Sequence, residues 1–428
     1  MLRMMRRRAL VAVLAAALAG CGWLQFRGDP AHTGFQPFET KISTSNVGQL
    51  TLEWTATPGG WTDSSPAVAN GVLYVGAVPG LLAYTAAGAP GCSALQPCPP
   101  LWSAPIGYVR SSPAVVGGVV YVTSDLGILN AFDAAGVRGC SGVPKTCAPL
   151  WTGVVGNGAS SPNVANGRVY VGSEAGVSVF DAAGVLGCSG VPKTCAPLWS
   201  GGAGAARGSP AVANGVVYMG AFDKDLYAFD AAGVQGCSGV PKVCAPLWTA
   251  NLHGVTGGSP AVAAGVVYVG SADGNLYAFD ATGLTGCSGV PKSCAPLWSA
   301  ATATGGAGDP TVANGRVYVG STFRLWAFDA AGVTGCGGVP KSCQALWQGD
   351  IGTTAAPVVA NGVVYGGYRG GVWALDAGGQ TGCAGTPRLC QPMWTAETGE
   401  FVSSPATVAN GFVYFGSNTQ KLYAFTLP

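Results

Sequence analysis

Apolar and polar residues alternate along this chain in short runs, and the same runs return at nearly constant spacing. One unit reads GSPAVAAGVVYVGSADGNLYAFDATGLTGCSGVPKSCAPLWSA over residues 258–300. An SPAVA-like run is followed in most units by Asn-Gly, as at Asn70-Gly71 and Asn214-Gly215, and then by VVYVG. Asn-Gly between apolar runs signals a tight hairpin, because both turn residues must take positive φ. A Gly-containing turn such as Ala272-Asp273-Gly274-Asn275 joins VVYVG to LYAFD, and Val, Tyr and Phe suit pleated strands. A loop bearing two cysteines then leads to PLWSA. Each unit therefore predicts four antiparallel strands, A, B, C and D.

Two aromatic series count the units. Tyr74, Tyr121, Tyr170, Tyr218, Tyr268, Tyr318, Tyr365 and Tyr414 mark the B strands, and Trp54, Trp102, Trp151, Trp199, Trp248, Trp298, Trp347 and Trp394 keep the same step. Eight units of four strands predict an all-β fold, an eight-bladed β-propeller of four-stranded antiparallel blades, rather than a leucine-rich or helical solenoid. LTLEWTA, residues 50–56, is a D strand with no A, B or C before it, while the last unit stops after its C strand. The two fragments complete each other, so an N-terminal strand is expected to close the ring and remove an open sheet edge.

Composition narrows the function classes. Only 9% of the 428 residues are charged, against 48% hydrophobic. Four arginines, Arg3, Arg6, Arg7 and Arg8, fall in a basic leader, leaving 17 cations against 19 carboxylates, a net of −2. That is no field for a phosphate backbone, so nucleic acid is not an expected partner. With two histidines, His32 and His253, no His-based metal centre is expected. After the leader an apolar stretch, too short to span a membrane, runs into Leu18-Ala19-Gly20-Cys21. Leu-Ala-Gly-Cys resembles a bacterial lipobox, which implies a signal peptide over residues 1–20 and a lipid on Cys21; plain secretion with cleavage nearby is the alternative. Residues 21–49 then form a lipidated tether and lead-in segment before a propeller over residues 50–428, attached to a membrane by its lipid without spanning it.

Fourteen other cysteines form seven close pairs: Cys92/Cys98, Cys140/Cys147, Cys188/Cys195, Cys237/Cys244, Cys287/Cys294, Cys336/Cys343 and Cys383/Cys390. Zinc would need four ligands, and neither a His nor a second pair accompanies each of these. Local disulfides are expected, in an oxidising, extracytoplasmic space.

The unit VYVGSADGNLYAFDATG followed by LW resembles the pyrroloquinoline-quinone-type propeller repeat family, over nearly all of residues 50–428. Residues 23–34, WLQFRGDPAHTG, also resemble the segment that precedes such propellers. The family includes periplasmic quinoprotein alcohol dehydrogenases and the lipoprotein propeller of the outer-membrane β-barrel assembly machinery, so the fold alone does not carry the function. The dehydrogenase branch implies a disulfide between adjacent cysteines stacked on the quinone, a calcium held by acidic and amide side chains, and a catalytic Asp. No Cys-Cys dipeptide occurs here. Asp133, Asp181, Asp230, Asp280, Asp329 and Asp376 end the C strands in FDAAG-like turns, where a capping role is expected. No catalytic residue, cofactor or metal is therefore assigned.

Residues that differ between units are the candidates for recognition. The D–A and B–C connections share one face, where the D–A loops carry Trp61, Asp63, Tyr108, Arg110, Asn157, Arg207, His253, Asp309, Asp350, Glu397, Glu400 and Phe401. These are expected to ring the mouth of the central channel as a candidate binding site. On the opposite face the Cys loops bring Lys145, Lys193, Lys242, Lys292, Lys341 and Arg388 to one rim, which could meet anionic lipid or polysaccharide or simply be solvated. The reading that follows is a non-catalytic, lipid-anchored scaffold binding envelope proteins, at the periplasmic face of an outer membrane or at the cell surface. The alternatives are a quinone-binding, degenerate dehydrogenase and a cell-surface adhesin for carbohydrate or protein.

Overall fold

A computed structural model describes residues 22–256, 258–302, 306–353, 355–418 and 420–428, with the side chain of Glu400 left aside. The signal peptide and Cys21 lie outside the described residues. Eight blades surround a central channel. In blade 5, Ala261–Ala263, Val266–Gly270, Asn275–Asp280 and Trp298–Ala301 form strands A to D, with A innermost and each neighbour antiparallel. Positive φ at Asn70 (50°) and Gly71 (76°), and at the matching pairs of other units, makes the expected A–B turns.

The ring closes as the chain ends suggested. Thr51–Ala56 pairs antiparallel with Leu422–Thr426, and blade 8 thus takes its D strand from the N-terminal part of the chain. The face carrying the D–A and B–C connections is called upper below, and the face carrying the A–B turns and C–D loops lower.

Blades were expected to have four strands, but six of the eight sheets have six. The additional pair is the cysteine loop. Cys140–Ser141 and Thr146–Cys147 of blade 2 form a small hairpin that lies parallel on the D strand of blade 1, Trp102–Ala104. There Ser103 N–H donates to the Lys145 carbonyl (3.1 Å). Thr152, Ser200, Thr249, Ser299 and Gln348 donate in the same way to Lys193, Lys242, Lys292, Lys341 and Arg388 of the following blades. The Cys92 loop does this for blade 8, where Cys98 N–H donates to the Thr55 carbonyl (2.8 Å). Blade 7 has no such neighbour, because the chain break falls where the C–D loop of blade 8 would be. The Val47–Gln49 turn sits beside its D strand instead, and the Trp394 indole donates to Leu50 (3.1 Å). All eight outer edges are thus covered against pairing with another chain.

All seven cysteine pairs are joined as disulfides: Cys92–Cys98, Cys140–Cys147, Cys188–Cys195, Cys237–Cys244, Cys287–Cys294, Cys336–Cys343 and Cys383–Cys390. This is the local pairing expected within each C–D loop, and only the first cysteine of each pair stays partly exposed. The second is buried: Cys98, Cys147, Cys195, Cys244, Cys294, Cys343 and Cys390 all lie in the hydrophobic core between two blades. Cys195 packs with Trp151 and Phe180, Cys244 with Trp199 and Phe229, and Cys294 with Trp248 and Phe279. Cys343 joins Trp298 and Phe328, and Cys390 joins Trp347 and Leu375. The cause is the docking just described. A hairpin laid on the preceding D strand turns its second strand inward, so each disulfide also pins the hairpin to the core of its neighbour.

The two aromatic series fasten each blade to the next. The Tyr218 hydroxyl donates to the Ala281 carbonyl in the FDATG turn of the following blade (2.8 Å), and its ring packs on Trp248 at 5.9 Å between centroids. Six other B-strand tyrosines make the same bond to a following alanine. Tyr365 is the exception: no C–D turn follows it in blade 8, and its buried hydroxyl has no partner among the described residues. The turn glycines lie flat on the preceding Trp. A Cβ on Gly233 would fall 2.2 Å from Trp199 Cδ1, at φ +63°, so only glycine fits.

Candidate functional site

The channel is not empty. Residues 23–36 enter it from the lower face, antiparallel to the blade 1 A strand (Trp23 opposite Val68), circle the axis, and leave parallel to the blade 7 A strand (Phe35 opposite Val359). On the way this segment meets the inner edge of every blade. Val68, Val115, Val212, Val262, Val312 and Val359 donate their N–H to the carbonyls of Trp23, Leu24, Pro30, Ala31, Thr33 and Gly34, at 2.6–2.9 Å. Val164 N–H donates to Gln25 Oε1 (2.9 Å), and Gln36 Nε2 donates to the Val408 carbonyl (3.2 Å). Innermost strands would otherwise present a row of unpaired amides to the channel.

A buried charge organises this plug. Arg27 has no exposed side-chain surface. Its guanidinium donates to the Pro310 carbonyl and to Thr311 Oγ1 (2.6 Å), its Nε donates to the His32 carbonyl (3.1 Å), and Asp309 lies 4.0 Å away. Burial lowers the Arg27 pKa to about 10, opposed by Asp309 and Asp29, so it stays charged at neutral pH. His32 is fully buried, and burial together with the Arg27 charge pushes it down to about 3, keeping the ring neutral. Its Nε2 lies 3.1 Å from the Asn163 amide nitrogen. Gly34, at φ +67°, passes so close that a Cβ would lie 2.6 Å from Thr311 Oγ1.

Above the plug, Phe26 and Asp309 form part of the floor of a cavity of about 320 Å³ opening on the upper face, with Thr353, Pro357 and Ser403 among its walls. Of the expected mouth residues Asp309 lines it; the others fall into separate clusters. Asp63, Tyr108 and Arg110 come together. Tyr108 and Ser403 donate to Asp63 (3.1 and 2.6 Å), and Arg110 lies 4.8 Å over the Tyr108 ring and 3.3 Å from Asp125. Trp61, on the same loop as Asp63, is 56% exposed. Arg207 pairs with Glu174 at 2.5 Å and lies 5.8 Å from the Phe222 ring centroid; the Asn157 carbonyl accepts the Glu174 N–H. His253 stands 6.4 Å from the Tyr277 ring, and Glu397 accepts from the Tyr368 hydroxyl at 2.7 Å. Asp350 meets Arg324 (4.0 Å) and Gln391 (3.1 Å), so it belongs to the blade 6 edge and its neighbouring Cys loop. Phe401 pairs with Arg369 where the blade 7 strands run on past the others. Glu400 precedes Phe401 in the strand Trp394–Phe401.

The repeated aspartates do cap turns. Asp280 Oδ2 accepts from Leu284 and Thr285 N–H, and the equivalents in blades 2 to 7 do the same. Burial works to raise the Asp280 carboxyl, but the N–H groups and the Thr282 hydroxyl outweigh it and hold it at about 2. The rim cations fold back: Lys193, Lys242, Lys292, Lys341 and Arg388 each donate to the turn glycine carbonyl of their own loop, at 2.8–3.3 Å.

Gln25, Arg27, Asp29, Thr33 and Gly34 were missed as structural centre. The available signal was a run of polar residues and glycines, QFRGDPAHTG, in a chain otherwise poor in charge. The residues present do not fit a quinone with its calcium. The plug occupies the axis, no adjacent cysteines exist, and among the described residues no three His, Cys, Asp or Glu side chains gather as a metal site.

A family model described as outer membrane protein assembly factor BamB matches residues 244–376. Among solved structures, BamB from Moraxella catarrhalis matches with a TM-score of 0.60 at 18% identity, over 88% of this chain and 97% of that one. The quinohemoprotein alcohol dehydrogenase of Comamonas testosteroni gives 0.66 at 14% identity, over 95% and 80%. The computationally designed Ika8 protein gives 0.62 at 12% identity, over 88% and 100%. No curated protein matches in sequence. At these identities the structural likenesses speak to the fold alone. They show the β-propeller fold, and the family-model match over residues 244–376 adds a likeness to the BamB-type repeat within it.

Proposed function

We propose that this propeller is a non-catalytic scaffold of the cell envelope, exported, anchored by a lipid on Cys21, and capturing a protein partner on its upper face. The observation that carries this reading is the plug: the channel axis is filled by the chain's own residues 23–36, which leaves the upper-face loops as the surface that varies from blade to blade. The BamB description of the matching family model and seven disulfides support an envelope setting. Clusters of charge beside exposed aromatics, such as Asp63, Tyr108 and Arg110 near Trp61, have the composition of protein contact sites.

The dehydrogenase neighbours keep a quinone-dependent reading as the competitor, and two experiments separate the readings. Native protein solubilised from envelopes should co-purify a partner, and R110A/R207A/E400A should fold normally yet lose most of it; undiminished capture would move the interaction off the upper loops. Protein mixed with pyrroloquinoline quinone and calcium should show no dye-linked alcohol or sugar oxidation. Activity that disappears when the quinone is omitted would overturn the non-catalytic reading.

A further inference from the structure

The chain leaves the channel on the lower face. Gln36 Nε2 holds the Gly22 carbonyl at 2.9 Å, and the same side chain accepts the Phe38 N–H through Oε1 (3.2 Å). Gly22, which follows Cys21 in the sequence, therefore lies at the centre of this face. Phe38 stands beside that point and is 59% exposed.

Around this centre the C–D loops repeat one device. Val143, Val191, Val240, Val290 and Val339 are fully exposed at the hairpin tips. Each loop adds a second exposed aliphatic in its turn, such as Val137, Val234 or Leu284. A cation follows each tip Val-Pro pair. Lys193, Lys242, Lys292 and Lys341 are each tethered to a glycine carbonyl of their own loop, which fixes the charge at the same place in successive blades. The Asp carboxylates of this face are occupied by turn N–H groups, so they offer fewer free lone pairs outward. Exposed aliphatics beside a ring of cations, about the point where Gly22 follows Cys21, match the chemistry of an anionic bilayer surface.

We infer that the lower face is a membrane-docking face, lying on anionic lipid with the Val tips at headgroup depth and the Lys ring against phosphate. The upper face then points away from the membrane.

The test uses the chain from Gly22 onward, which contains every described strand and no lipid. It therefore stands apart from the anchoring proposed above. Flotation is measured with vesicles of phosphatidylcholine mixed with phosphatidylglycerol, and with phosphatidylcholine alone. Binding is expected to the anionic vesicles only, and to weaken with salt. K145Q/K193Q/K242Q/K292Q/K341Q/R388Q should lower it at least about tenfold. V143S/V191S/V240S/V290S/V339S should lower it severalfold, and because these side chains touch only solvent it keeps the test valid if the cation variant misfolds. R324Q/R369Q/K421Q on the upper face should bind as the parent does. Absence of binding to anionic vesicles, equal loss in the upper-face variant, or unchanged binding in both lower-face variants overturns the inference. So does a lower face whose substitution removes a protein partner while vesicle binding persists.

Discussion

The upper and lower faces of the ring are made by the same strands and differ in almost everything else. The lower face is a copied surface, in which blades 2 to 7 repeat an Asp-capped turn, a disulfide hairpin and a cation. On the upper face the loops differ more: one cluster centres on Asp63 and Tyr108, another on Arg207 and Glu174, a third on Tyr368 and Glu397, while blades 4 and 5 share an Asp-Tyr pair, Asp223–Tyr227 and Asp273–Tyr277. Carboxylates outnumber cations above, and cations outnumber carboxylates below. A copied surface suits a target that is itself uniform, such as a lipid plane. A varied one suits a single shaped partner. Between them, the plug closes the axis that would connect the two.

The largest expected effect of breaking this arrangement lies at the plug, which both faces share. Arg27→Ala would leave Asp309 close to the axis without its cation, and unfolding in guanidinium should show a loss of about 3–5 kcal/mol. A loss within about 0.5 kcal/mol, the range of ordinary surface changes, would mean the buried charge is not organising the channel.

Next come the contacts between blades. Gly233→Ala forces a methyl onto Trp199 at positive φ and should cost about 1–3 kcal/mol. Tyr218→Phe should cost about 1 kcal/mol by removing its bond to Ala281. Tyr365→Phe should cost nothing measurable, since its hydroxyl has no partner among the described residues. Equal effects at the two tyrosines would contradict the chain-break explanation for blade 7.

Acid separates plug from lower face by pH. His32 is held at about 3 when folded, whereas an exposed His titrates near 6.5, so between these values the unfolded chain binds the additional proton. Stability should fall as pH drops below about 6.5, and His32→Gln should remove that part of the slope. The turn carboxylates act lower down. Asp280 is held at about 2, so its contribution is complete above about 4 and lost as pH falls toward 2. Amide exchange at Leu284 and Thr285 should accelerate there. A pH profile flat down to 4 would contradict the burial of His32.

Strands were legible because their signals are local. Asn-Gly pairs, the VVYVG runs and the Tyr and Trp series mark each blade, and the unpaired D strand at residues 50–56 foretold closure. What stayed hidden depends on contacts between units. The Cys hairpins dock on the preceding blade through bonds to the carbonyls of Lys145 and its equivalents, and backbone carbonyls leave no mark in residue type. Cysteine spacing gave the pairing, but the burial of Cys195, Cys244 and their equivalents follows from that docking and was equally hidden. The plug is similar, since six of its eight contacts to the A strands use its own carbonyls, and only Arg27, Gly34 and the glutamines carry a side-chain reason for their place. The mouth was misjudged in one respect: loop position predicted which face each residue would occupy, but not the Arg110–Asp125 and Arg207–Glu174 pairs that gather them blade by blade.

Hydrogen exchange at the innermost strands tests the plugged axis most directly. The amides of Val115, Val212, Val262, Val312 and Val359 point into the channel and are bonded only to residues 24–34. They are expected to exchange as slowly as amides in the B strands, through global opening alone. Exchange as fast as in the exposed Asn214-Gly215 turn would mean that the channel stands open, and the scaffold reading would lose the observation that carries it.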